Sequence, residues 1–457
     1  MTAAKPSELD RRAFLAASAS AAIAAPATVH AQAPSAAGAM PEKSPQEKPK
    51  AMEWDMSEGS FSKSRLARMH DSMSRHVESG YVPGLVTLVA RRGEVHVDAI
   101  GTQDVGGTAP MRRDTIFRIA SLTKPITAAA AMMLVEECKL RLDDPVDRWL
   151  PELADRKVLR SLESEVTETV PAHRPITLRD LLTFRLGLGA IMVFPEKYPI
   201  QKAMAEAGVA PGPFLPVHAP DELMKRYGNL PLVHQPGERW LYDTGSHILG
   251  VLISRVSGKS LGEVLNERIF EPLGMKDTGF SVPEEKLGRL ATSYWTEGGT
   301  RKELVIFDEA RGGRFAKPPV FESGSGGLVS TVDDYYAFCR MMLDRGLHGR
   351  DRILSRASVE LMTTDQITPE QKAASPFFPG FWESRGWGFG VSVFTKRDAL
   401  ENVPGRFGWD GGYGTSGYSD PQEDIVGIMM TQRVMDSPSA PPTFSDFWTS
   451  AYQAIDG

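Results

Sequence analysis

The chain has 457 residues, a formal net charge of −6 at pH 7 and 41% hydrophobic residues. This length and composition are typical of a globular protein with one large domain or two closely packed ones. No block of basic residues interleaved with aromatic residues occurs, which argues against nucleic acid as a partner. The histidines and cysteines lack metal-ligand spacings such as Cys-x-x-Cys, so we expect neither a metal nor another cofactor. Cys138 and Cys339 lie in apolar helical contexts and are predicted to be buried thiols.

Residues 1–31 resemble a twin-arginine signal peptide. Arg11 and Arg12 precede an alanine-rich apolar run, and small residues around His30 offer a cleavage site. The resemblance implies the twin-arginine export machinery as a partner and a periplasmic or secreted location. The apolar run is too short to span a bilayer, so we expect no stable membrane insertion. Residues 32–60, rich in Pro, Ala, Lys and Glu, are predicted to form a flexible linker.

The segments that follow first show strand patterns and then helical ones. Apolar residues between Phe61 and His76 recur at helical spacing, and two strands at 85–90 and 94–100 flank an Arg-Gly turn. Further helical patterns occur at 176–182, where Thr177 is the expected N-cap, and from Trp240 to Val256. Residues 190–237 have no clean period. They are predicted to be either a long loop region that lines a pocket or a packing insertion.

Strand patterns return near the C-terminus, at 387–394, 406–409, 415–419 and 425–431. An early hairpin, a helical middle and late strands favour an α+β fold in which both ends of the chain build one antiparallel sheet flanked by helices. A mainly helical lobe would be inserted between these ends. We expect the sheet lobe to comprise about 61–120 and 321–457, and the helical lobe about 121–320.

Ser121 and Lys124 lie where a short β-branched and aromatic segment runs into a helical pattern. Residues three apart share one helix face, so the hydroxyl and the amine would point the same way. Pro125 fits only in the first turn of such a helix, which places this pair near unpaired backbone N–H groups. An amine beside a hydroxyl is one way to activate a serine nucleophile. The motif alone is weak, because Ser60-Phe61-Ser62-Lys63 shows it too.

Two more segments accompany this one in the same order as in a known superfamily. They are Gln235 to Gly245, in which Tyr242 follows a Pro-Gly turn, and Phe407 to Gly414, a glycine-rich strand pattern. With these motifs, the chain resembles the serine β-lactamase and penicillin-binding superfamily from about Tyr81 to Gln432. It resembles most the class C branch that contains β-lactamase-like carboxylesterases. Residues 61–457 would then form the catalytic domain.

The resemblance implies a role for each matching residue. Ser121 would be the acylated nucleophile, and Lys124 would help to remove its proton. Tyr242 would relay a proton to the leaving group, and a phenol near cationic groups would release its proton more easily. The backbone N–H groups of Ser121 and Gly412 would form the oxyanion hole. Contacts with the substrate are implied for four further positions, Trp409, Asp410, Gly411 and Thr244.

Two departures from the family pattern bear on the substrate. Trp409 stands where lactamases and peptidases usually carry Lys or His, and it cannot donate a charge-assisted hydrogen bond to a carboxylate. Thr244 replaces the usual Asn. Both changes favour small to medium carboxylic esters as substrates over β-lactams.

Other functions stay open at this point. They are a β-lactamase or D-alanyl peptidase, an acyltransferase that uses the same acyl-enzyme, and, least favoured, a non-catalytic binding protein. An α/β-hydrolase would require Gly-x-Ser-x-Gly, which is absent, because the segment from Ser323 to Gly326 has the wrong frame.

Overall fold

The computed structural model describes residues 60–296 and 303–457. The predicted signal peptide and all but the last residue of the predicted linker lie outside these ranges. Within them, no helix combines the length and the apolar character needed to cross a bilayer.

The helices and strands follow the expected order of an early hairpin, a helical middle and late strands. The α-helices are α1 (Lys63–Glu78), α2 (Thr123–Glu136), α3 (Leu178–Leu182), α4 (Pro199–Glu206), α5 (Pro220–Asn229), α6 (Thr244–Ser257), α7 (Leu261–Leu265), α8 (Glu271–Leu273), α9 (Val332–Leu343), α10 (Arg356–Met362), α11 (Pro369–Ala373), α12 (Phe381–Ser384) and α13 (Pro442–Gln453). The strands are β1 (Gly84–Arg91), β2 (Glu94–Gly101), β3 (Phe117–Arg118), β4 (Lys157–Leu159), β5 (Thr169–Pro171), β6 (Ser293–Trp295), β7 (Val305–Asp308), β8 (Val329–Ser330), β9 (Leu347–His348), β10 (Asp351–Arg352), β11 (Arg385–Trp387), β12 (Ser392–Phe394), β13 (Phe407–Gly411), β14 (Thr415–Asp420) and β15 (Ile425–Thr431).

A seven-stranded antiparallel sheet joins the two ends of the chain. Its strand order is β11-β12-β13-β14-β15-β1-β2. The early hairpin meets the late strands where β1 pairs with β15, with Leu85 opposite Thr431. The predicted α+β fold, with one antiparallel sheet built from both ends, is therefore confirmed. The exact boundaries of the two lobes stay a prediction.

Helices cover both faces of the sheet because the central strands carry apolar side chains on both sides. On β1, Leu85 and Val89 face α1 and α13, whereas Val86 and Leu88 face the larger core that contains α2, α6 and α9. Successive side chains of a strand point to opposite faces, so a strand that is buried at every position, as β1 is, must be covered on both sides. This two-sided burial makes β1 and β15 the centre of the fold.

Helix α2 is the most deeply buried helix near the sheet. Every residue from Thr123 to Leu134 is buried, and the helix packs against α6. A run of alanines at its centre lets neighbouring helices approach closely. Pro125 lies in the first turn, as the sequence predicts.

The structure corrects four expectations about local structure. The single strand expected at 387–394 is two strands, β11 and β12, because Gly390 takes a φ of 71° in a turn between them. The helical pattern that begins at Trp240 becomes a helix only at Thr244. Residues 190–237 contain α4 and α5 rather than loop alone. Cys138 is exposed rather than buried, because it follows the end of α2, whereas Cys339 is buried and both thiols are free.

We predict that Phe447→Ala lowers the free energy of unfolding by about 3–5 kcal/mol, because a fully buried ring would be replaced by a cavity. Phe447 lies on α13 and packs in the core between this helix and the sheet. Urea unfolding followed by circular dichroism measures the change. The matched control is Thr449→Ala, an exposed position on the same helix, which should change the value by less than about 0.5 kcal/mol. Equal effects of the two substitutions would contradict the assignment of this core.

Candidate active site

Ser121 lies in a short turn between a strand and the buried helix. Strand β3 pairs with β8, a 3₁₀ turn spans Ala120–Leu122, and α2 begins at Thr123. The sequence predicts that the helix begins at the serine, but the helix begins two residues later. Ala120 has a φ of 44°, a backbone conformation that is costly for a residue with a Cβ. Such strain at the residue before a half-buried hydroxyl is typical of functional turns.

The amino group of Lys124 lies directly against this hydroxyl. Its Nζ donates hydrogen bonds to Ser121 Oγ at 2.8 Å and to the carbonyl oxygen of Ser325 at 2.9 Å. The carboxylate of Asp243 lies 3.5 Å from the same nitrogen. The lysine side chain is 0% exposed. The predicted contact between the hydroxyl and the amine is therefore present, and it is shielded from water.

Burial changes the protonation of Lys124. It lowers the pKa of the amine to about 8, although the nearby Asp243 carboxylate acts in the opposite direction. An amine with this pKa is neutral in a substantial fraction of molecules near neutral or mildly alkaline pH. It can therefore accept a proton from a neighbouring hydroxyl.

Asp243 is a site residue that the sequence motifs do not predict. It follows Tyr242 in the second motif, accepts a hydrogen bond from Ser325 Oγ at 2.8 Å and lines the same cleft as Ser121. Burial would raise the pKa of this carboxyl group, but the charge of Lys124 and the Ser325 hydrogen bond hold it below its ordinary value. Its position in the tyrosine motif was the available signal. A single acidic residue in a loop gives no indication that it will meet a lysine 119 positions away in the sequence.

His247 is a further polar residue near Asp243. Its Nδ1 lies 3.1 Å from Ser323 Oγ. Burial lowers the pKa of His247 to about 4, so the ring is neutral at physiological pH. A neutral ring beside Asp243 does not compete with Lys124 as the partner of the carboxylate.

Tyr242 and Trp409 form the aromatic part of the site. The indole Nε1 of Trp409 donates a hydrogen bond to the Tyr242 hydroxyl at 2.7 Å. The amino group of Lys124 lies 4.5 Å from the centroid of the tyrosine ring. Aromatic rings of Trp240, Phe377 and Trp409 surround the phenol at centroid distances of 5.7, 5.3 and 5.7 Å. Tyr242, Lys124 and Ser121 are thus brought together as predicted.

The phenol differs in one respect from the sequence-based expectation. Burial, together with the negative charge of Asp243, raises the pKa of Tyr242 well above its ordinary value, although hydrogen bonds with Ser121 and Trp409 act in the other direction. The expectation of an easily released proton considered cations alone. In the structure, the aromatic surroundings and the adjacent carboxylate dominate, so Tyr242 is a neutral phenol that can donate or pass on a proton.

The two adjacent glycines of the third motif have different positions. Gly412 lines the cleft with Ser121, and a Cβ there would meet open space. At Gly411, a Cβ would clash with Thr415 Oγ1 and with the carbonyl oxygen of Ile119. Gly411 therefore lets β13 approach the segment before the nucleophile turn, and its contact with a substrate stays a prediction.

The two further predicted substrate contacts, Asp410 and Thr244, line different pockets. Asp410 lines the cleft, and its carboxylate accepts hydrogen bonds from Ser416 at 2.6 Å and Tyr418 at 3.0 Å. Thr244 is buried as the first residue of α6 and lines a second pocket beyond residues 211–215. Thr244 is not among the described residues that line the Ser121 cleft, and its contact with a substrate stays a prediction.

The cleft itself has mostly apolar walls. Aliphatic and aromatic side chains from the 190–237 region and from the segment before α12 supply them, including Met192, Phe194, Phe214, Leu215, Phe377 and Phe378. Of the two interpretations of residues 190–237, the pocket-lining one is therefore correct. An apolar cleft with a few convergent polar groups is the usual form of a small-molecule site.

Elsewhere, the second Ser-x-x-Lys sequence does not form a comparable site. Lys63 is exposed at the start of α1, and Ser60 lies at the beginning of the described chain. In residues 60–296 and 303–457, no group of His, Cys, Asp or Glu side chains is arranged to hold a metal ion.

Comparison with known proteins identifies the family. The β-lactamase family model matches residues 69–443, which is most of the chain. The chain belongs to the β-lactamase family. It is 40% identical to Protein Rv1367c of Mycobacterium tuberculosis over 367 residues, which cover 79% of this chain and 88% of that protein. It is 29% identical to Esterase EstB of Burkholderia gladioli over 401 residues, or 84% of this chain and 94% of the esterase.

Two solved structures show the same fold. EstCE1, a hydrolase with promiscuous acyltransferase activity, superposes with a TM-score of 0.69 at 26% identity, covering 86% of this chain and 99% of that one. Simvastatin synthase from Aspergillus terreus superposes with a TM-score of 0.70 at 23% identity, covering 87% and 100%. The β-lactamase/transpeptidase-like fold is thereby confirmed.

We predict that Asp243→Asn moves the pH dependence of Ser121 reactivity to lower pH. In the wild type, the rate of labelling by a fluorophosphonate should rise with pH around 8, because the neutral form of Lys124 is the one that accepts the proton. Removing the carboxylate charge removes the effect that raises the lysine pKa, so the pKa falls and the midpoint shifts downward.

The matched control for this measurement is Asp410→Asn, which removes a carboxylate that also lines the cleft but belongs to the Tyr418 side. Its midpoint should stay within about 0.3 pH units of the wild type, a change smaller than ordinary pKa scatter between sites. Circular dichroism verifies that both variants are folded. An upward shift for Asp243→Asn, or equal shifts for both variants, would show that Asp243 does not control Lys124.

Proposed function

We propose that this protein is a serine hydrolase that forms an acyl-enzyme on Ser121 and hydrolyses small to medium carboxylic esters. The contact of 2.8 Å between the buried Lys124 amine and the Ser121 hydroxyl carries this proposal. A serine beside a buried amine of lowered pKa has the base that it needs to become a nucleophile at near-neutral pH.

In the acylation step, Ser121 Oγ attacks the ester carbonyl carbon while its proton passes to neutral Lys124. The negative charge that develops on the carbonyl oxygen would be stabilised by the backbone N–H groups of Ser121 and Gly412, which line the same part of the cleft. The C–O bond to the alcohol then breaks, and the alcohol leaves with a proton. The neutral phenol of Tyr242 can deliver this proton and be reprotonated from Lys124, whose amino group lies over its ring.

The second step consumes water. A water molecule attacks the acyl carbon, its proton passes to the Tyr242 and Lys124 pair, and the bond to Ser121 breaks so that serine regains a proton and the acid is released. Trp409 holds the phenol oxygen through its indole N–H. Because the hydrogen bond fixes the acceptor side of that oxygen, the phenol proton is directed toward the remaining partners, Ser121 and the leaving group.

The cleft favours an apolar ester rather than a β-lactam. Trp409 presents an aromatic surface at the position where the family usually has a cation, and Phe214, Phe377 and Phe378 also line the cleft. These surfaces suit an acyl chain or an apolar alcohol. Relatives named as Esterase EstB and as the Lovastatin esterase of Penicillium rubens, both 29% identical to this chain, support an esterase.

Acyl transfer to another alcohol is the second candidate. The same acyl-enzyme serves both reactions, and an acyltransferase of Penicillium decumbens is 26% identical over 384 residues. A β-lactamase or D-alanyl peptidase is less favoured because of Trp409, and a non-catalytic protein is least favoured because Ser121, Lys124 and Tyr242 are in contact.

We predict that Ser121→Ala abolishes both p-nitrophenyl butyrate hydrolysis and covalent labelling by a fluorophosphonate, with a loss of at least about 10³-fold in kcat/KM. The nucleophile would be absent while the cleft keeps its shape. Ser60→Ala, in the other Ser-x-x-Lys sequence, is the matched control and should leave both readouts unchanged. Label that survives Ser121→Ala would refute the assigned nucleophile.

A direct comparison of substrates tests the substrate class. Wild-type protein should turn over p-nitrophenyl butyrate with a kcat/KM well above its value for nitrocefin. A kcat/KM for nitrocefin far above that for the ester would refute the esterase and indicate a β-lactamase. Adding short alcohols to the ester reaction and quantifying the new ester measures the share of acyl transfer.

We also propose export by the twin-arginine route, on the basis of residues 1–31 alone. A fusion of residues 1–60 to a folded fluorescent protein should reach the periplasm of a bacterial host. Changing Arg11 and Arg12 to Lys should retain the fusion in the cytoplasm, because the export receptor reads the arginine pair. Lys48→Gln in the linker is the control and should not alter export. Equal export of both fusions would refute this route.

A further inference from the structure

Arg385 is a charged residue of the cleft that the proposed reaction does not use. It is the first residue of β11 and lines the same cleft as Ser121, together with Trp409 and Asp410. Among the cleft-lining residues that the structure describes, it is the one arginine or lysine side chain. The cleft therefore contains a positive charge, although not at the position where the family usually carries it.

Among the described residues, the carboxylate partner of Arg385 is Asp410, in a long ion pair without a hydrogen bond. Asp410 Oδ2 is 3.9 Å from Nη1, beyond hydrogen-bond distance, and the oxygens of Asp410 already accept hydrogen bonds from Ser416 and Tyr418. Other half-buried arginines of this protein make two short bonds to a carboxylate. Arg255 contacts Glu152 twice at 2.8 Å, and Arg179 contacts Asp143 at 2.7 and 2.9 Å.

Most of the donors of Arg385 are available. Within the described residues, its hydrogen bond is from Nη1 to the Tyr418 hydroxyl at 3.3 Å. The aromatic rings of Phe381 and Phe394, 5.9 and 4.6 Å from its central carbon, hold the group in place. The side chain is 21% exposed. A guanidinium that is positioned by aromatic rings and still has free N–H groups is suited to bind a carboxylate with two parallel hydrogen bonds.

The position of Arg385 indicates which part of a substrate it would meet. A chain of aromatic contacts links Arg385 to the reaction centre: Arg385 lies over the ring of Phe381, that ring lies 6.0 Å from the ring of Trp409, and the indole of Trp409 bonds to Tyr242. The described contacts of Arg385 are with Asp410, Tyr418, Phe381 and Phe394 rather than with the catalytic residues, so an anion bound at Arg385 lies away from the scissile bond. It belongs to a remote part of the substrate.

We propose that Arg385 forms a carboxylate-binding subsite and that the preferred substrates are esters that carry a carboxylate several bonds away from the ester group. This proposal rests on the proposed esterase function and narrows its substrate class. The carboxylate can belong to the acyl part or to the alcohol part. Trp409 contacts the apolar portion between the two groups, which explains how an apolar residue and a cation serve the same ligand.

Two pairs of esters test the subsite, one for each part of the substrate. Mono-p-nitrophenyl adipate and its methyl ester differ by a carboxylate in the acyl part, and 4-butyryloxybenzoate and its methyl ester differ by one in the alcohol part. Each is measured with wild type, Arg385→Gln and Arg385→Lys. For each ester, the KM of the variant is divided by the KM of the wild type, which cancels differences in intrinsic reactivity between the esters.

We expect Arg385→Gln to raise KM for the carboxylate ester of at least one pair by about tenfold, the usual effect of losing a charge-assisted hydrogen bond. KM for the neutral methyl esters should stay within about twofold. Arg385→Lys should lie between the two, because it keeps the charge and loses the fork of donors. Lys396→Gln removes an exposed charge just beyond β12 and controls for the net charge of the protein.

The outcomes separate the subsite from the proposed function. Wild-type protein that hydrolyses none of the four esters would refute the esterase. Hydrolysis of all four with no change in KM ratio in either pair on Arg385→Gln would overturn the subsite alone. An equal increase in KM for the charged and the neutral esters would show that Arg385 has a structural role, and this result would also overturn the subsite. A tenfold effect in the adipate pair or in the benzoate pair assigns the carboxylate to the acyl or to the alcohol part.

Discussion

The burial of the Lys124 amino group is the constraint on which the rest of the site depends. A charged amine removed from water costs several kcal/mol unless oxygen atoms replace its hydration. Three separate parts of the chain supply these oxygens, the Ser121 turn, the carbonyl of Ser325 and the carboxylate of Asp243. The segment around Ser325 must therefore cross α2, and the loop before α6 must approach it. The same burial lowers the pKa of the amine, so the interactions that close the core also prepare the base.

The parts of this structure that the sequence predicted are those that depend on local patterns. Strand alternation located β1, β2 and the late strands, and the spacing of three residues placed Lys124 beside Ser121. The presence of Tyr242 and Trp409 in one site, although they are 167 positions apart, followed from the family resemblance, which supplies long-range order that no local pattern contains. Asp243 and Arg385 escaped prediction, because a single charged residue in a loop or at a strand start is usually a solvated one.

Trp409 shows why the role of a residue can differ from the expectation based on its type. Its residue type predicts contact with the substrate and excludes the charge-assisted hydrogen bond of the usual Lys or His. In the structure, its indole N–H also donates a hydrogen bond to the hydroxyl of Tyr242. A Lys or His at this position, as in other family members, would offer that oxygen a charged donor instead. A charged donor at that oxygen would lower the pKa of the phenol, whereas the neutral indole next to the Asp243 carboxylate leaves the phenol protonated.

The charges around the cleft therefore have an unequal distribution that bears on selectivity. Asp243 and Lys124 form a compact pair at the reaction centre, where the carboxylate repels an anion close to the scissile bond. In the proposed subsite, Arg385 attracts one farther from the scissile bond, although the carboxylate of Asp410 lies 3.9 Å from its Nη1. This subsite would orient a substrate that has an ester at one end and a carboxylate at the other, since the reversed orientation places the carboxylate against Asp243.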